Sequence, residues 1–244
     1  MEDLKDNVFQ EEIKRPSDFK FGPVVANVFD DMVERSVPYY NEIQRMIIEQ
    51  AAQFAKPNTN IYDLGCSTGT TFINLDPHVD ASVRFIGVDD SKDMLDKCAT
   101  KLKKAKLQRN YELKNADLHE SLTIENASVV ILCLTMQFVR PIYREKLLCK
   151  IYEGLNPGGV LIICEKILAE DSPFNRNFIH YYYDYKRRNQ YSELEISQKR
   201  EALENVLIPY KLSENIKMLM EAGFSHTEVF FKWYNFSAFT AIKG

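Results

Sequence analysis

The sequence has no cysteine pair at C-x-x-C spacing, and its five cysteines (Cys66, Cys98, Cys133, Cys149, Cys164) are odd in number. This argues against a disulfide framework and a zinc knuckle, and fits a reducing cytoplasm. No stretch approaches the roughly 18 consecutive apolar residues of a membrane helix. The start, Met1-Glu2-Asp3-Leu4-Lys5-Asp6, is acidic and polar where a signal peptide would be basic and then apolar. A soluble cytoplasmic protein with no membrane contact is expected. There is no excess of basic residues either: the formal net charge of -4 gives no overall pull toward a phosphate backbone, so direct nucleic-acid binding is not expected. Internal repeats and low-complexity linkers are also missing.

What is present suffices for a full core. The chain has 244 residues, 45% hydrophobic and 27% charged, so it needs neither metals nor crosslinks to fold. One domain over residues 1–244 is expected, with a helical cap (1–57), a nucleoside-binding core (58–170), a helical insertion (171–207) and a closing helix and strand pair (208–244). Val24 to Phe54 has helical spacing broken at Ser36-Val37-Pro38, because a proline pushes the preceding residue out of the α region. Strands at Ile61–Leu64, Val83–Val88, Tyr111–Lys114, Val129–Leu134 and Val160–Cys164 alternate with helices at Lys92–Ala105 and Tyr143–Leu155, the latter ending at Asn156-Pro157-Gly158-Gly159. Such alternation implies a parallel sheet with right-handed crossovers. Asp171 to Asn205 is polar, tyrosine-rich and helical, too long for a simple connection. Leu212–Ala222, stopped by Gly223, is a further helix, and His226–Phe231 with Phe236–Ile242 suits an antiparallel pair.

The chemistry starts at Asp63-Leu64-Gly65-Cys66-Ser67-Thr68-Gly69. A glycine turn after the first strand lets backbone N–H groups approach a ligand, with a helix N-terminus behind. Asp89 ends the second strand, where a carboxylate can accept both hydroxyl protons of a ribose. The turn lacks the G-x-G-x-x-G of nicotinamide sites, and an acid precedes its glycine by two residues. It resembles motif I of class I S-adenosylmethionine-dependent enzymes, with Ser67 where many carry a middle glycine. A tight strand-to-helix turn without a ligand is the structural alternative. Asp117 follows the third strand, where its carboxylate could take the adenine amino group and the Leu118 backbone the ring edge; alone, it would read as a helix cap or a solvated loop residue.

Longer stretches resemble one family, the carboxy-S-adenosyl-L-methionine synthases: Arg35-Ser36-Val37-Pro38, Tyr62 to Ser67, Glu125 to Ser128, Gln137-Phe138, Lys150 to Pro157, Tyr191 to Arg200 and Ala202 to Val206. The resemblance runs from about Phe9 to Lys243. It implies an α/β, Rossmann-like class I methyltransferase fold with a mostly parallel seven-stranded sheet and helices on both faces. It implies conversion of S-adenosyl-L-methionine and prephenate to carboxy-S-adenosyl-L-methionine and phenylpyruvate, without a metal, in a homodimer. The product would serve a partner enzyme that modifies the wobble uridine of tRNA.

The ligand contacts that the resemblance implies fall on Tyr40, Gly65, Cys66, Ser67, Asp89, Asp90, Asp117, Leu118, Cys133 and Arg200. Arg200 is the discriminating one, pairing with the carboxylate that distinguishes product from S-adenosylmethionine. The bare sequence adds that Ile196, Arg200, Leu203 and Leu207 share one helical face, and an arginine there needs an anion, from a ligand or from Glu204. In the implied mechanism prephenate loses carbon dioxide and hydroxyl, the hydroxyl takes a proton from the sulfonium methyl, and the resulting ylide captures the carbon dioxide. Positioning and electrostatics would carry the rate. The four histidines (His78, His119, His180, His226) match none of these positions and read as surface or core residues.

Three departures stand out. Cys133 replaces a usual asparagine, and a thiol is a weak donor and acceptor; a nucleophilic role for it is not expected, since nothing near in sequence would lower its pKa. Tyr39 sits where relatives tend to have glycine, and Asp90 where they have asparagine. The run His180 to Arg188 interleaves aromatics and bases, which can stack on unpaired nucleotides, but reads more simply as a lid helix or dimer surface. An ordinary methyltransferase and a non-catalytic nucleoside-binding protein are the competing functions.

Overall fold

A computed structural model describes residues 5–13, 17–120 and 122–244; Met1 to Leu4, most of the acidic start, lie outside them. Two helices come first, α1 (Pro23–Ser36) and α2 (Tyr40–Phe54), parted at Val37-Pro38 as the proline predicts. Then follow β1 (Asn60–Leu64), α3 (Thr70–Leu75), β2 (Arg84–Asp89), α4 (Lys92–Lys104), β3 (Tyr111–Asn115), β4 (Ala127–Cys133), α5 (Pro141–Gly154) and β5 (Leu155–Lys166). The chain closes with α6 (Ser172–Arg188), α7 (Glu193–Leu203), α8 (Leu212–Glu221), β6 (His226–Trp233) and β7 (Phe236–Ile242).

The seven strands form one sheet in the order β3-β2-β1-β4-β5-β7-β6. Only β7 runs against the others, pairing antiparallel with β5 and β6. Successive side chains of a strand point to opposite faces. Ile61, Phe85, Val129, Ile131 and Ile162 therefore pack under α2, α3 and α4, while Tyr62, Ile86, Val130, Leu132 and Leu161 pack over α5 and α8. Both faces are covered, so the inner strands are apolar throughout. Ile43 and Ile47 of α2 are fully buried, each contributing about 1.5–3 kcal/mol. A third cluster joins Phe9 and Phe19 to Val25, Val28 and Met32 of α1, Met94 of α4 and Ala202 of α7. It ties the N-terminal segment to the insertion.

The boundary that differs most from the sequence reading is the start of β5. β5 starts at Leu155, not Val160, and takes in Asn156-Pro157-Gly158-Gly159 as an irregularity: Ala127 pairs with Leu155, and the next pair is Val129 with Val160. The Gly158 N–H donates to the Lys243 carbonyl and the Lys243 N–H to the Gly159 carbonyl, each at 2.9 Å. The chain end thus satisfies backbone groups that a free turn would give to water. Among the described residues no helix is long and apolar enough to cross a membrane.

β2 and β4 flank β1, so the strand order reverses there, and ligands bind beyond the carboxyl ends of strands at such a reversal.

Candidate active site

At that reversal the turn after β1 is pinned to β2: the N–H groups of Gly65 and Cys66 donate to the Val88 carbonyl at 2.7 and 3.1 Å. Gly65 has φ +80, and a Cβ there would lie 2.6 Å from Thr135 Cγ2, so only glycine fits. Ser67 also holds a left-handed conformation, φ +48, which explains why a glycine serves well at this position. Asp89 binds the turn from below: its Oδ2 accepts from the Ser67 N–H and its Oδ1 from the Ser91 N–H, both at 2.9 Å. Ser91 in turn caps α4 by accepting from the Met94 N–H.

Two carboxylates at this end are held in unusual states. Asp63 is 1% exposed, and its Oδ1 has no partner among the described residues. Burial pushes its carboxyl up to about 7, against the Thr71 hydroxyl and with the Asp89 charge. Burial likewise pushes Asp89 up to about 6 in spite of its two N–H donors. A lone buried carboxylate oxygen awaits a donor, and a cationic ligand rich in N–H and O–H groups would supply one. The site therefore fits S-adenosylmethionine, whose ammonium, sulfonium and ribose hydroxyls answer an acidic wall.

Tyr40, the first residue of α2, enters the same wall. Gln44, one turn on, donates to Tyr40 Oη at 3.3 Å, lies 3.5 Å from Cys133 Sγ and accepts from Thr71 at 3.4 Å. Burial, then the neighbouring Cys133, raises the Tyr40 phenol well above its ordinary value. Asp117, after β3, accepts from the His119 N–H at 2.8 Å and meets His119 Nδ1 at 2.6 Å. His119 Nε2 accepts from the Arg140 N–H at 3.0 Å, which leaves Nδ1 as the donor to Asp117. Behind this wall Glu165 accepts from the N–H groups of Met136 and Gln137 at 2.9 and 2.8 Å, fixing the backbone after β4.

The cavity, about 800 Å³ in all, is also lined by Lys166, Lys186, Lys199 and Arg200 from β5, α6 and α7; β5 lies across β4 from the strands that carry the acids. Burial lowers Lys166 to about 8, and lowers Lys199 to about 8 against the pull of Asp6. Lys186 is lowered by burial and then by Lys199 and Lys166.

These opposed shifts set the pH dependence of the ligand-free fold. Unfolded, Asp63 and Asp89 release their protons near 3.8 and Glu165 near 4.5; folded, they hold them to about 7, 6 and 8. The native state binds more protons in that window, so stability falls as pH rises from about 4 to 8. Lys166 and Lys199 release theirs at about 8 folded against 10.5 unfolded, so stability rises again above 8. Thermal melting of the ligand-free protein from pH 5 to 10 is expected to show a minimum near 8; a flat or rising curve between 5 and 8 would contradict these assignments.

Comparison with known proteins places this arrangement. Residues 61–159 match the family model of a methyltransferase domain. The carboxy-S-adenosyl-L-methionine synthase of Methylococcus capsulatus is 53% identical over 240 residues, 98% of this chain and 99% of that one. That of Sulfurimonas denitrificans is 47% identical, over 98% of this chain and 100% of that one. The chain belongs to the carboxy-S-adenosyl-L-methionine synthase family. Among solved structures, an O-methyltransferase family protein from Burkholderia thailandensis superposes with TM-score 0.66 at 14% identity, covering 91% of this chain and 60% of that one. The fold is the class I methyltransferase fold, and the family is one of transferases.

Of the residues expected for a synthase of this family, Tyr40, Gly65, Cys66, Ser67, Asp89, Asp90, Asp117, Leu118, Cys133 and Arg200 all line one cavity. Two expectations need correction. His119 is on the cavity wall, locked between Asp117 and Arg140, where the sequence read it as a surface or core residue. The stripe Ile196, Arg200, Leu203, Leu207 is also cut short: α7 ends at Leu203, Ile196 is buried away from the cavity, and Leu207 follows in the next segment. Among the described residues Arg200 makes no ion pair with Glu204. Sequence reading missed Gln44, Thr71 and the three lysines. Lys166 carried a usable signal, standing at the carboxyl end of β5, where ligands gather in such sheets.

Proposed function

We propose that the protein converts S-adenosyl-L-methionine and prephenate to carboxy-S-adenosyl-L-methionine and phenylpyruvate. The carrying observation is the charge along the cavity: Asp63, Asp89 and Asp117 stand on or after β1, β2 and β3, while Lys166 stands on β5, beyond β4, with Lys186 against the same Tyr182 ring. The acids suit a sulfonium nucleoside, and the lysines a co-substrate with two carboxylates. S-adenosyl-L-methionine supplies a methyl group made acidic by the sulfonium. A carboxyl group passes from prephenate to that carbon, and the prephenate hydroxyl leaves as water with the proton the methyl gives up. The protein's own groups position and neutralise. His119 has both ring nitrogens engaged by Asp117 and Arg140, which favours a proton acceptor brought by the substrate.

The product would feed a separate tRNA wobble-uridine carboxymethylating enzyme. A cytoplasmic setting is supported by five free cysteines, and a homodimer by the exposed aromatics Phe174, Tyr181, Tyr234 and Tyr39. Native mass spectrometry of protein incubated with S-adenosyl-L-methionine and prephenate tests the reaction. A bound ligand heavier than S-adenosyl-L-methionine by one carboxylate is expected. Recovery of S-adenosyl-L-methionine alone, or methyl transfer that ignores prephenate, overturns it.

A further inference from the structure

Tyr182 of α6 is buried, and two ammonium groups lie against its ring: Lys166 Nζ is 5.0 Å and Lys186 Nζ 4.8 Å from the centroid. Lys186 is 5% exposed. Among the described residues neither ammonium group donates a hydrogen bond or forms an ion pair. Lys199, 6% exposed, differs: it donates to Ser36 Oγ at 3.2 Å and lies 3.6 Å from Asp6 Oδ2. Three lysines therefore meet beside the cavity, with Asp6 and, near Lys199, Glu195 as the carboxylates that act on them. A buried charge needs a partner as well as an aromatic face, and like charges gathered together raise the need. Burial lowers the pKa values of both, and Lys199 and Lys166 lower that of Lys186 further. A lysine kept for packing would turn its ammonium to water. These two instead hold theirs at the cavity wall, against one ring.

We propose that Lys166 and Lys186 form the seat for the carboxylate that the co-substrate keeps, and so select a donor with two carboxylates over one with a single carboxylate. This rests on the reading that prephenate is the donor. The division of labour follows from charge. A carboxylate that departs as carbon dioxide sheds its charge to the rest of the molecule, so an ammonium pair clasping it would hold back the loss. The carboxylate that survives in phenylpyruvate keeps its charge throughout, and gripping it anchors the donor without opposing the reaction. Arg200, which is exposed, is left for the newly made carboxylate in this division.

The test uses Lys166→Met and Lys186→Met, which keep length and remove charge, with Lys186→Arg as the charge-restoring control. Phenylpyruvate binding is measured by calorimetry with S-adenosylhomocysteine present, alongside KM and kcat for prephenate. Each Met variant is expected to raise the phenylpyruvate Kd and the prephenate KM at least about tenfold, with a smaller change in kcat and S-adenosylhomocysteine binding within about twofold. Lys186→Arg should recover much of the loss. Unchanged Kd and KM in both Met variants overturn the seat. A second arm uses the unaltered protein, in case a variant does not fold: the neutral methyl ester of phenylpyruvate should bind at least about tenfold more weakly than the acid, and equal binding overturns the seat. If prephenate yields no carboxylated product but phenylpyruvate binds and the Met variants lose it, the donor reading fails and the seat stands.

Discussion

Asp89→Ala is expected to weaken S-adenosyl-L-methionine binding by about 100-fold or more, measured by calorimetry at pH 8. A carboxylate accepting from two vicinal hydroxyls makes two charge-assisted bonds of about 1.5–3 kcal/mol each, and about 1.4 kcal/mol is a factor of ten. The same change removes the acceptor for the Ser67 and Ser91 N–H groups, so the turn and the start of α4 loosen together. Asp89→Asn separates the two effects. It keeps one acceptor oxygen but turns an amide N–H toward one of the two backbone donors, and a loss of about tenfold is expected. The proton linkage gives an independent reading. Because burial raises the Asp89 pKa to about 6, affinity should climb as pH rises through 6, while ligand-free stability falls over the same range. The stabilisation on adding ligand should therefore be larger at pH 8 than at pH 5. Affinity within about threefold of the unaltered protein in Asp89→Ala would remove this residue from the site.

Much of this site could be read from the sequence because its acidic half is local. Asp63 and Asp89 stand at the ends of β1 and β2, the Gly65 turn and Asp117 follow β1 and β3 within a residue or two, and strand ends can be found from apolar periodicity and glycine. The family resemblance added Tyr40, Cys133 and Arg200, which periodicity alone does not single out. The basic half was not legible. Lys166, Lys186 and Lys199 come from three elements and come together only where Tyr182 of α6 meets Lys166 of β5 and α7 packs on α6, and a lysine in a polar run reads as solvated. The run His180 to Arg188 shows the difficulty. Tyr182 and Lys186, one turn apart, point into the cavity, whereas Arg187 pairs outward with Asp184 and Glu193. Composition treats all of them alike. The start of β5 was misread for a related reason: Pro157 with Gly158 and Gly159 signals a turn, and only the bonds to the distant Lys243 keep those residues in the strand. Tyr39 is a departure that the fold does explain. It immediately precedes α2, at φ +57, a conformation that favours glycine, and its ring is exposed, so the cost is one of backbone alone.

Arg200→Ala is expected to release carboxy-S-adenosyl-L-methionine by about 30-fold while leaving S-adenosyl-L-methionine affinity within about threefold. A bidentate guanidinium–carboxylate pair contributes about 2 kcal/mol at a site open to water, less than it would if buried. Arg200 is exposed, lines the cavity and has no anion of its own among the described residues, so its removal leaves no partner stranded. Nor should the helix suffer: α7 is fixed at its start by the reciprocal bonds of Ser192 and Glu195, and alanine is the strongest helix former. Loss of ligand in this variant would thus report on recognition and not on folding. Arg200→Lys keeps the charge without the fork and should lie between the two, near tenfold. The contrast between ligands is the deciding readout. A residue that merely shaped the cavity would weaken both equally, and a residue reading the added carboxylate weakens only one. If both ligands bind Arg200→Ala as they bind the unaltered protein, the carboxylate is read by some other group, and Arg200 loses its place in the reaction.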